Sequence, residues 1–468
     1  MAKYFGFFVF TILGLALLGA RASGRTLADP VDDLVRAEME KRQIPGLSLA
    51  VVRDGKVIKA QGYGFANLEH RVPADADTVY QLASVTKQFT SAAVMMLVEE
   101  GKIKLDGSIS EYLPNLPEAW KAVTVRHLLN HTSGIKSYTG VDAFKETLRK
   151  DYTPEELLGL VRDIPLEFAP GTEHRYNNTG YYLLGMLIEK VSGKSYGEFL
   201  KERIFDPLGM NDTRVNDHSV IVSRRAAGYM PTPQGIRNAE YVSPTQPYAA
   251  GALLSTINDM VKWNAALGTD KLLQPESWKA VWSPTKLTDG KTVDYGFGWE
   301  VATIRGHRRI AHSGGIPGFN SYIMRLPDDN LSVIVLTNSE GANPETIAMK
   351  IAETYLPELI PPKVEPISDP DPARTRRLRA IVQGLSEGKA TESDFTEGMW
   401  KFLYPDRLKE GPQMLGALGT FRDFDLISET KDGESQMLRY RALFGETALF
   451  VLVTLTDGKI AGIGFAPE

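Results

Sequence analysis

Apolar and polar positions change their pattern three times along the chain. Pro30 to Gln43 reads as a helix, and Asp54-Gly55 then separates two short runs, Leu47–Val52 and Lys56–Gly62, as a hairpin turn does. From Ser84 to Glu100 the chain is apolar nearly all round, with Gly101 as its stop. A helix without a polar face belongs in an interior. Residues from about 105 to 290 carry helical patterns broken by Gly and Pro, among them Thr179–Val191, ended by Gly193, and Tyr196–Phe205, ended before Pro207. Strand-like runs return at Tyr295–Ala302, Arg308–His312, Asn320–Leu326 and Leu331–Thr337, with Pro327–Asn330 as a turn, and a helix follows at Pro344–Tyr355.

One early hairpin and several late strands predict a single antiparallel sheet assembled from both ends of a domain spanning residues 30–356. The helical middle then forms a second lobe, which makes the fold class α+β. Pro357, Pro361, Pro362, Pro366, Pro370 and Pro372 mark residues 357–372 as a semi-rigid linker. Beyond it, helix-like segments near 373–387 and 391–409 precede three or four strands, with turns at Asp432-Gly433 and Asp457-Gly458, so residues 373–468 read as a small C-terminal α+β domain. Trp400, Phe402 and Tyr404 follow helix spacing there and read as core.

Composition narrows the function classes. A length of 468 residues exceeds what one hydrophobic core usually supports, in agreement with two domains. Net charge is −5 with no basic stripe, which gives no support to a nucleic-acid partner. Cysteine is absent, so disulfides, thiolate catalysis and a lipid-modified cysteine are all removed. Lys3, an apolar run from Tyr4 to Leu18 and Ala20-Arg21-Ala22 form a signal-peptide pattern over residues 1–22. Export to the periplasm or medium is the expectation, with an uncleaved N-terminal anchor as the alternative, and no later segment is apolar enough to span a bilayer.

Three segments carry groups capable of chemistry. In Ser84-Val85-Thr86-Lys87, helical spacing puts the Lys87 amine beside the Ser84 hydroxyl. A lysine inside an apolar helix loses proton affinity, which suits a serine–lysine nucleophile pair. Tyr176-Asn177-Asn178 follows a Pro170-Gly171 turn and precedes a helix; its phenol can relay a proton, and Asn178 offers both donor and acceptor to a substrate. His312-Ser313-Gly314-Gly315 ends a strand with glycines, leaving backbone N–H groups open to an oxyanion. His131 reads as a loop anchor; His70, His127, His174, His218 and His307 show no metal spacing, and neither H-E-x-x-H nor G-x-S-x-G occurs.

SVTK, YNN and HSG, in that order and at these separations, resemble the serine β-lactamase and penicillin-binding-protein superfamily, whose class C branch carries Y-x-N and (K/H)-x-G motifs. The similarity extends through Thr124–Ile135, Ala249–Trp263 and Tyr295–Trp299. It implies that Ser84 is acylated, that Lys87 and Tyr176 share proton transfer, that Asn178 orients the substrate, and that the N–H groups of Ser84 and Gly315, beside Gly314, form the oxyanion hole. It implies no cofactor or metal. His312 stands where such enzymes usually carry a lysine for the substrate carboxylate, and histidine there is common among esterase-like members. The reading is therefore a hydrolase of small esters or amides. The alternatives are a β-lactamase, a D-Ala-D-Ala carboxypeptidase or D-amino-acid peptidase, and, in another class, a degenerate binding scaffold. In element order the C-terminal domain resembles the cystatin-like and nuclear-transport-factor-like folds. Covering the site, dimerising and binding a ligand all stay open for it, as does the oligomeric state.

Overall fold

Runs of Val, Leu and Ile that bury both faces form the middle strands of the main sheet. The computed structural model describes residues 29–467 apart from 363, 434 and 446, so the signal-peptide pattern lies outside the described residues. The chain divides into two units, one ending at Ile360 and one beginning at Pro361. In chain order the strands of the first unit's main sheet are β1 (Gly46–Arg53), β2 (Lys56–Asn67), β3 (Val72–Pro73), β4 (Glu300–Ile304), β5 (His307–Ile316), β6 (Phe319–Leu326) and β7 (Leu331–Thr337). Across the sheet they run β4-β5-β6-β7-β1-β2-β3. Strand β7 closes onto the early hairpin, with Leu47 opposite Thr337 and Val51 opposite Val333. The sheet is thus antiparallel and built from both ends of the unit, as its pattern predicts.

Every position of β7 is buried, so it shows no polar alternation. Its residues instead divide by parity. Leu331, Val333 and Val335 join a core with Val35 of α1 (Pro30–Arg42) and Ile347 and Ile351 of α4 (Pro344–Tyr355). Ile334 and Leu336 face the other way, into the core shared with α2 (Thr86–Glu99) and α3 (Asn178–Ser192). Helix α2 is buried at every residue from Thr86 to Leu97. The reactive residues therefore stand where the helical lobe meets one face of the sheet.

Several boundaries differ from the sequence expectation for physical reasons. The segment expected as one helix from Ser84 begins as a tight 3-10 turn, Ala83–Val85, before α2. The strand expected from Tyr295 begins only at Glu300. Gly298 sits at φ +75, and a Cβ there would lie 2.8 Å from the Lys87 carbonyl, so this stretch passes against α2 as irregular chain. Tyr196–Phe205 is an α-helical turn to Leu200 followed by a wider π-helical turn from Lys201. Pro357–Leu359 is a 3-10 turn whose Leu359 is fully buried in the first unit.

The second unit stacks helices on a four-stranded antiparallel meander: β8 (Phe421–Asp432), β9 (Ser435–Phe444), β10 (Thr447–Thr456) and β11 (Lys459–Pro467). Leu438 and Tyr440 of β9 pack with Leu378 and Val382 of α5 (Pro372–Ser386). A bidentate Arg374–Glu429 pair at 3.0 and 2.8 Å ties α5 to β8. The helix expected over 391–409 splits into Glu397–Leu403 and Asp406–Met414, because Tyr404 precedes Pro405 and takes an extended conformation. The shorter helix buries Met399 and Leu403, whereas Phe402 and Tyr404, expected as core, are exposed. Among the described residues no helix is long and apolar enough to cross a membrane.

Candidate active site

The turn that presents Ser84 is held from three sides. Ala83 adopts φ +47, a left-handed conformation unfavourable for a residue with a Cβ. The surroundings impose it. The Leu82 N–H donates to the Leu253 carbonyl (2.8 Å), Ser321 Oγ donates to the Leu82 carbonyl (2.6 Å), and the Leu253 N–H donates to Thr86 Oγ1 (3.1 Å). Strand β5 lies directly on the turn: a Cβ on Gly314 would come within 2.2 Å of the Leu82 carbonyl oxygen, so only glycine fits. Ser84 itself remains partly open.

One turn along, the Lys87 side chain is wholly buried. Its Nζ lies 3.1 Å from Ser84 Oγ, 2.9 Å from Asn178 Oδ1 and 2.8 Å from the Ala250 carbonyl. The rings of Tyr176 and Tyr181 enclose it at 4.8 and 5.3 Å. Desolvation drives its pKa well below the usual lysine value. A neutral amine has two N–H donors and one lone pair. The Asn178 and Ala250 oxygens can only accept, so they take the two N–H groups and the lone pair is left facing Ser84 Oγ. Geometry and burial together place a base beside the hydroxyl.

Asn177, not Asn178, caps α3: its Oδ1 accepts from the Gly180 N–H at 2.8 Å, and its amide is buried. Asn178, the first helical residue, spends its oxygen on Lys87 and donates through Nδ2 to Thr139 Oγ1 at 3.2 Å. Tyr176 leans over the site with 41% of its surface exposed. Protein around the phenol raises its pKa above the ordinary value, and its hydrogen bond with Ser84 opposes that shift. It is thus a protonated acid at neutral pH.

Two cavities open on Ser84, and Gly315 lines both. The larger, of about 590 Å³, is lined by Tyr176, Asp294, Glu300, Arg309, His312 and Ser313. The smaller, of about 160 Å³, is lined by Tyr138, Phe144, Leu148, Val242 and Ile316 and is mainly apolar. Strand β4 pairs with β5 only as far as Ala311, so among the described residues His312–Ile316 has no partner strand on that side. His312 is 2% exposed; its Nε2 lies 2.9 Å from Tyr295 Oη and its Nδ1 2.6 Å from the Ser313 carbonyl. Burial pushes its pKa down to about 3. Both ring nitrogens are therefore occupied by the protein, and the ring is neutral.

Residues 31–356 match the Beta-lactamase family. The chain belongs to it. Penicillin-binding protein 4* of Bacillus subtilis (strain 168) is 32% identical over 336 residues, 68% of this chain and 73% of that protein. The D-aminopeptidase of Gluconobacter oxydans (strain 621H) is 26% identical over 67% of this chain, which spans only 60% of that relative's length. Among solved structures, the octameric penicillin-binding protein homologue from Pyrococcus abyssi superposes with a TM-score of 0.65 at 28% identity, over 94% of this chain and 98% of that one. The D-amino acid amidase from Ochrobactrum anthropi SV3 gives a TM-score of 0.61 at 27% identity, over 70% of this chain and all of that one. As a member of the beta-lactamase family the chain is a serine hydrolase with that family's fold, followed by a separate C-terminal sheet domain.

The structure brings all seven residues singled out in the sequence, Ser84, Lys87, Tyr176, Asn178, His312, Gly314 and Gly315, to one cleft. Sequence reasoning passed over four contributors. The Ala250 carbonyl is invisible in a side-chain motif, and Asp294 and Glu300 sit in no motif at all. Tyr295 was visible only as part of a similar stretch. Among the described residues one group could hold a metal ion, His307, Asp329 and Glu358. In it His307 Nδ1 already bonds Asp329 at 2.9 Å, and none of the three lines the Ser84 cleft.

Proposed function

We propose that this protein hydrolyses small amides and esters through an acyl-enzyme on Ser84, and that it selects substrates bearing a free ammonium or no charge over carboxylates. The observation that carries the first half is the buried Lys87 Nζ, 3.1 Å from Ser84 Oγ with its two other contacts on oxygens that only accept, which leaves its lone pair for the hydroxyl. Lys87 takes the hydroxyl proton as Oγ bonds to the substrate carbonyl carbon. The N–H groups of Ser84 and Gly315 receive the oxyanion. The bond to the leaving group then breaks, and the Tyr176 phenol supplies the proton that the departing amine or alkoxide requires. Lys87 returns its proton through Ser84 Oγ's neighbourhood to Tyr176, and water repeats the sequence on the acyl-enzyme to release the acid. Asn178 keeps Lys87 in register through Oδ1.

Charge in the larger cavity supports the second half. The acidic side chains of Asp294 and Glu300 line it. Among the described residues its one permanent cation is Arg309, already paired with Glu345 at 2.8 Å and Glu300 at 3.4 Å. His312 is neutral with both nitrogens engaged, and Lys87 is buried and neutral. Among the described residues a substrate carboxylate meets no free cation there, whereas an ammonium meets acidic side chains. Two similar proteins carry names, D-aminopeptidase and D-amino acid amidase, that fit an amino-bearing substrate. Residues 1–22 would direct this activity outside the cytoplasm.

The test compares the protein with Ser84→Ala on D- and L-amino-acid p-nitroanilides, p-nitrophenyl butyrate and a chromogenic cephalosporin. Anilide and ester turnover lost in the variant, with slow cephalosporin cleavage by both, is the expected result. Equal rates in the two proteins would remove Ser84 from the chemistry. Rapid Ser84-dependent cephalosporin cleavage would overturn the charge preference alone.

A further inference from the structure

The mechanism leaves two buried side chains beside the cleft unused, His131 and Tyr295. His131 is 1% exposed and sits at φ +62, with Nδ1 at 3.1 Å from the Asn177 N–H and Nε2 at 3.1 Å from Tyr295 Oη. Tyr295 is 5% exposed and reaches His312 Nε2 with the same hydroxyl, at 2.9 Å. His312 Nδ1 ends the series on the Ser313 carbonyl.

The end groups fix the direction of every bond in this series. A backbone N–H only donates, so His131 Nδ1 must carry a lone pair and its proton sits on Nε2. A backbone carbonyl only accepts, so His312 Nδ1 must carry the proton, and in the neutral ring Nε2 carries the lone pair. Tyr295 then has one arrangement: its oxygen accepts from His131 and its O–H donates to His312. Four hydrogen bonds run one way, from Asn177 to Ser313. Asn177 lies between Tyr176 and Asn178; Ser313 precedes Gly314 and Gly315. The series therefore links the acid and the lysine anchor on one segment with the oxyanion strand on another, across the gap that the substrate enters.

We propose that Tyr295, with His131 and His312, forms a neutral one-way hydrogen-bond chain coupling the Tyr176–Asn178 loop to the Ser313–Gly315 strand, and that Tyr295 is a positioning residue for hydrolysis at Ser84. This rests on the Ser84 reading. Protonating His131 at Nδ1 would set donor against donor at Asn177, so the chain works only while both rings are neutral. The titratable groups facing His131 are Lys87, His174, Tyr176, Tyr181, Tyr295 and His312; those facing His312 are Lys87, His131, Tyr176 and Tyr295; Tyr295 also faces His174, Tyr176, Tyr181 and Glu300. Burial acts on both histidines in the direction that keeps them neutral.

Long-range proton–nitrogen NMR on histidine-labelled protein reads the tautomers directly and needs neither activity nor a variant. The expected result is opposite tautomers, Nε2–H for His131 and Nδ1–H for His312, unchanged from pH 8 to pH 5. Equal tautomers, or either ring titrating in that range, would overturn the chain. In Tyr295→Phe, kcat should fall about 10- to 100-fold with KM nearly unchanged, as expected for misplaced groups, and the His312 signals should shift or begin to titrate. Wild-type kcat with unmoved His312 signals would overturn the positioning role. Should Ser84→Ala retain activity, the nucleophile reading fails while the tautomer result still stands or falls by itself.

Discussion

Two sets of basic nitrogens flank the Ser84 cleft; burial keeps both uncharged, and what differs is what their nitrogens face. On one side Lys87 is neutral through desolvation, with two oxygens that consume its N–H groups and leave a lone pair for Ser84. On the other, His131 and His312 have every nitrogen committed to a fixed partner. A lone pair with nothing but a reactive hydroxyl in front of it is chemically available. A lone pair already facing a tyrosine O–H is not. The same charge state therefore yields a base on one side and a rigid strut on the other.

The sharpest break of that comparison is Lys87→Met. Losing the base should lower kcat/KM for the anilide and ester by about 10³- to 10⁴-fold, near the upper range for general-base catalysis, in a steady-state assay at pH 8. Stability should respond in a distinctive way. A lysine whose folded pKa is depressed binds its proton more readily in the unfolded chain, so wild-type stability rises with pH between the folded pKa and about 10.4. The variant lacks this slope. Its melting temperature relative to wild type should be most favourable at neutral pH and worsen steadily toward pH 10. A constant difference would mean that Lys87 is charged in the native state, and the base assignment would fail with it.

Tyr176→Phe removes the acid and keeps the ring that encloses Lys87. A loss of about 10²-fold is expected for the anilide and a smaller one for p-nitrophenyl butyrate, whose leaving group departs without a proton. Equal losses on the two substrates would show the phenol acting on Ser84 or Lys87 instead of the leaving group.

The histidine side should show itself in acid. His131 and His312 have depressed folded values, the latter about 3, so the unfolded chain takes up protons below about 6.5 while the native chain does not. Their contribution is complete above about pH 6.5 and is lost as pH falls, with a slope of up to about 1.4 kcal/mol per pH unit for each ring. Urea midpoints of wild type and His312→Gln from pH 7 to 4.5 check this. The variant should lose less stability over the range, and parallel curves would refute the buried neutral state of His312.

The two sides also differ in how far the sequence announced them. Ser84 and Lys87 lie three residues apart on one helical turn, so their meeting follows from local geometry. His131 and Tyr295 are 164 residues apart, and they meet through tertiary packing in which Gly298 lets the Tyr295 segment pass against α2. No periodicity encodes that. In the fold the same distinction holds. Strand β7 and helix α4 were legible to the residue because their apolar runs end at clear turn and cap signals. The strand start at Glu300 was not, since the five preceding residues are apolar enough for a strand but threaded past another backbone. Gln43 fell on the wrong side of its helix end for a lesser reason, the one- or two-residue ambiguity of any element end.

The smallest effect tests what enters the larger cavity. Glu300 is partly exposed, burial raises its carboxyl pKa, and Arg309 opposes that shift from 3.4 Å. An incoming ammonium would meet this carboxylate in a cavity it shares with water and with Asp294. The gain from one such contact is therefore modest, about 0.5–1 kcal/mol, the range of partly screened ion pairs. Glu300→Gln keeps the shape and removes the charge, so KM for an amino-acid p-nitroanilide should rise about two- to five-fold with kcat held. The uncharged p-nitrophenyl butyrate supplies the control, and its KM should stay within error of wild type. Because salt screens an exposed pair, the gap between the two substrates should shrink from 20 to 500 mM NaCl in wild type and be small throughout in the variant. Equal changes on both substrates would assign Glu300 to holding Arg309 in place, and would leave the choice of a cationic substrate resting on Asp294.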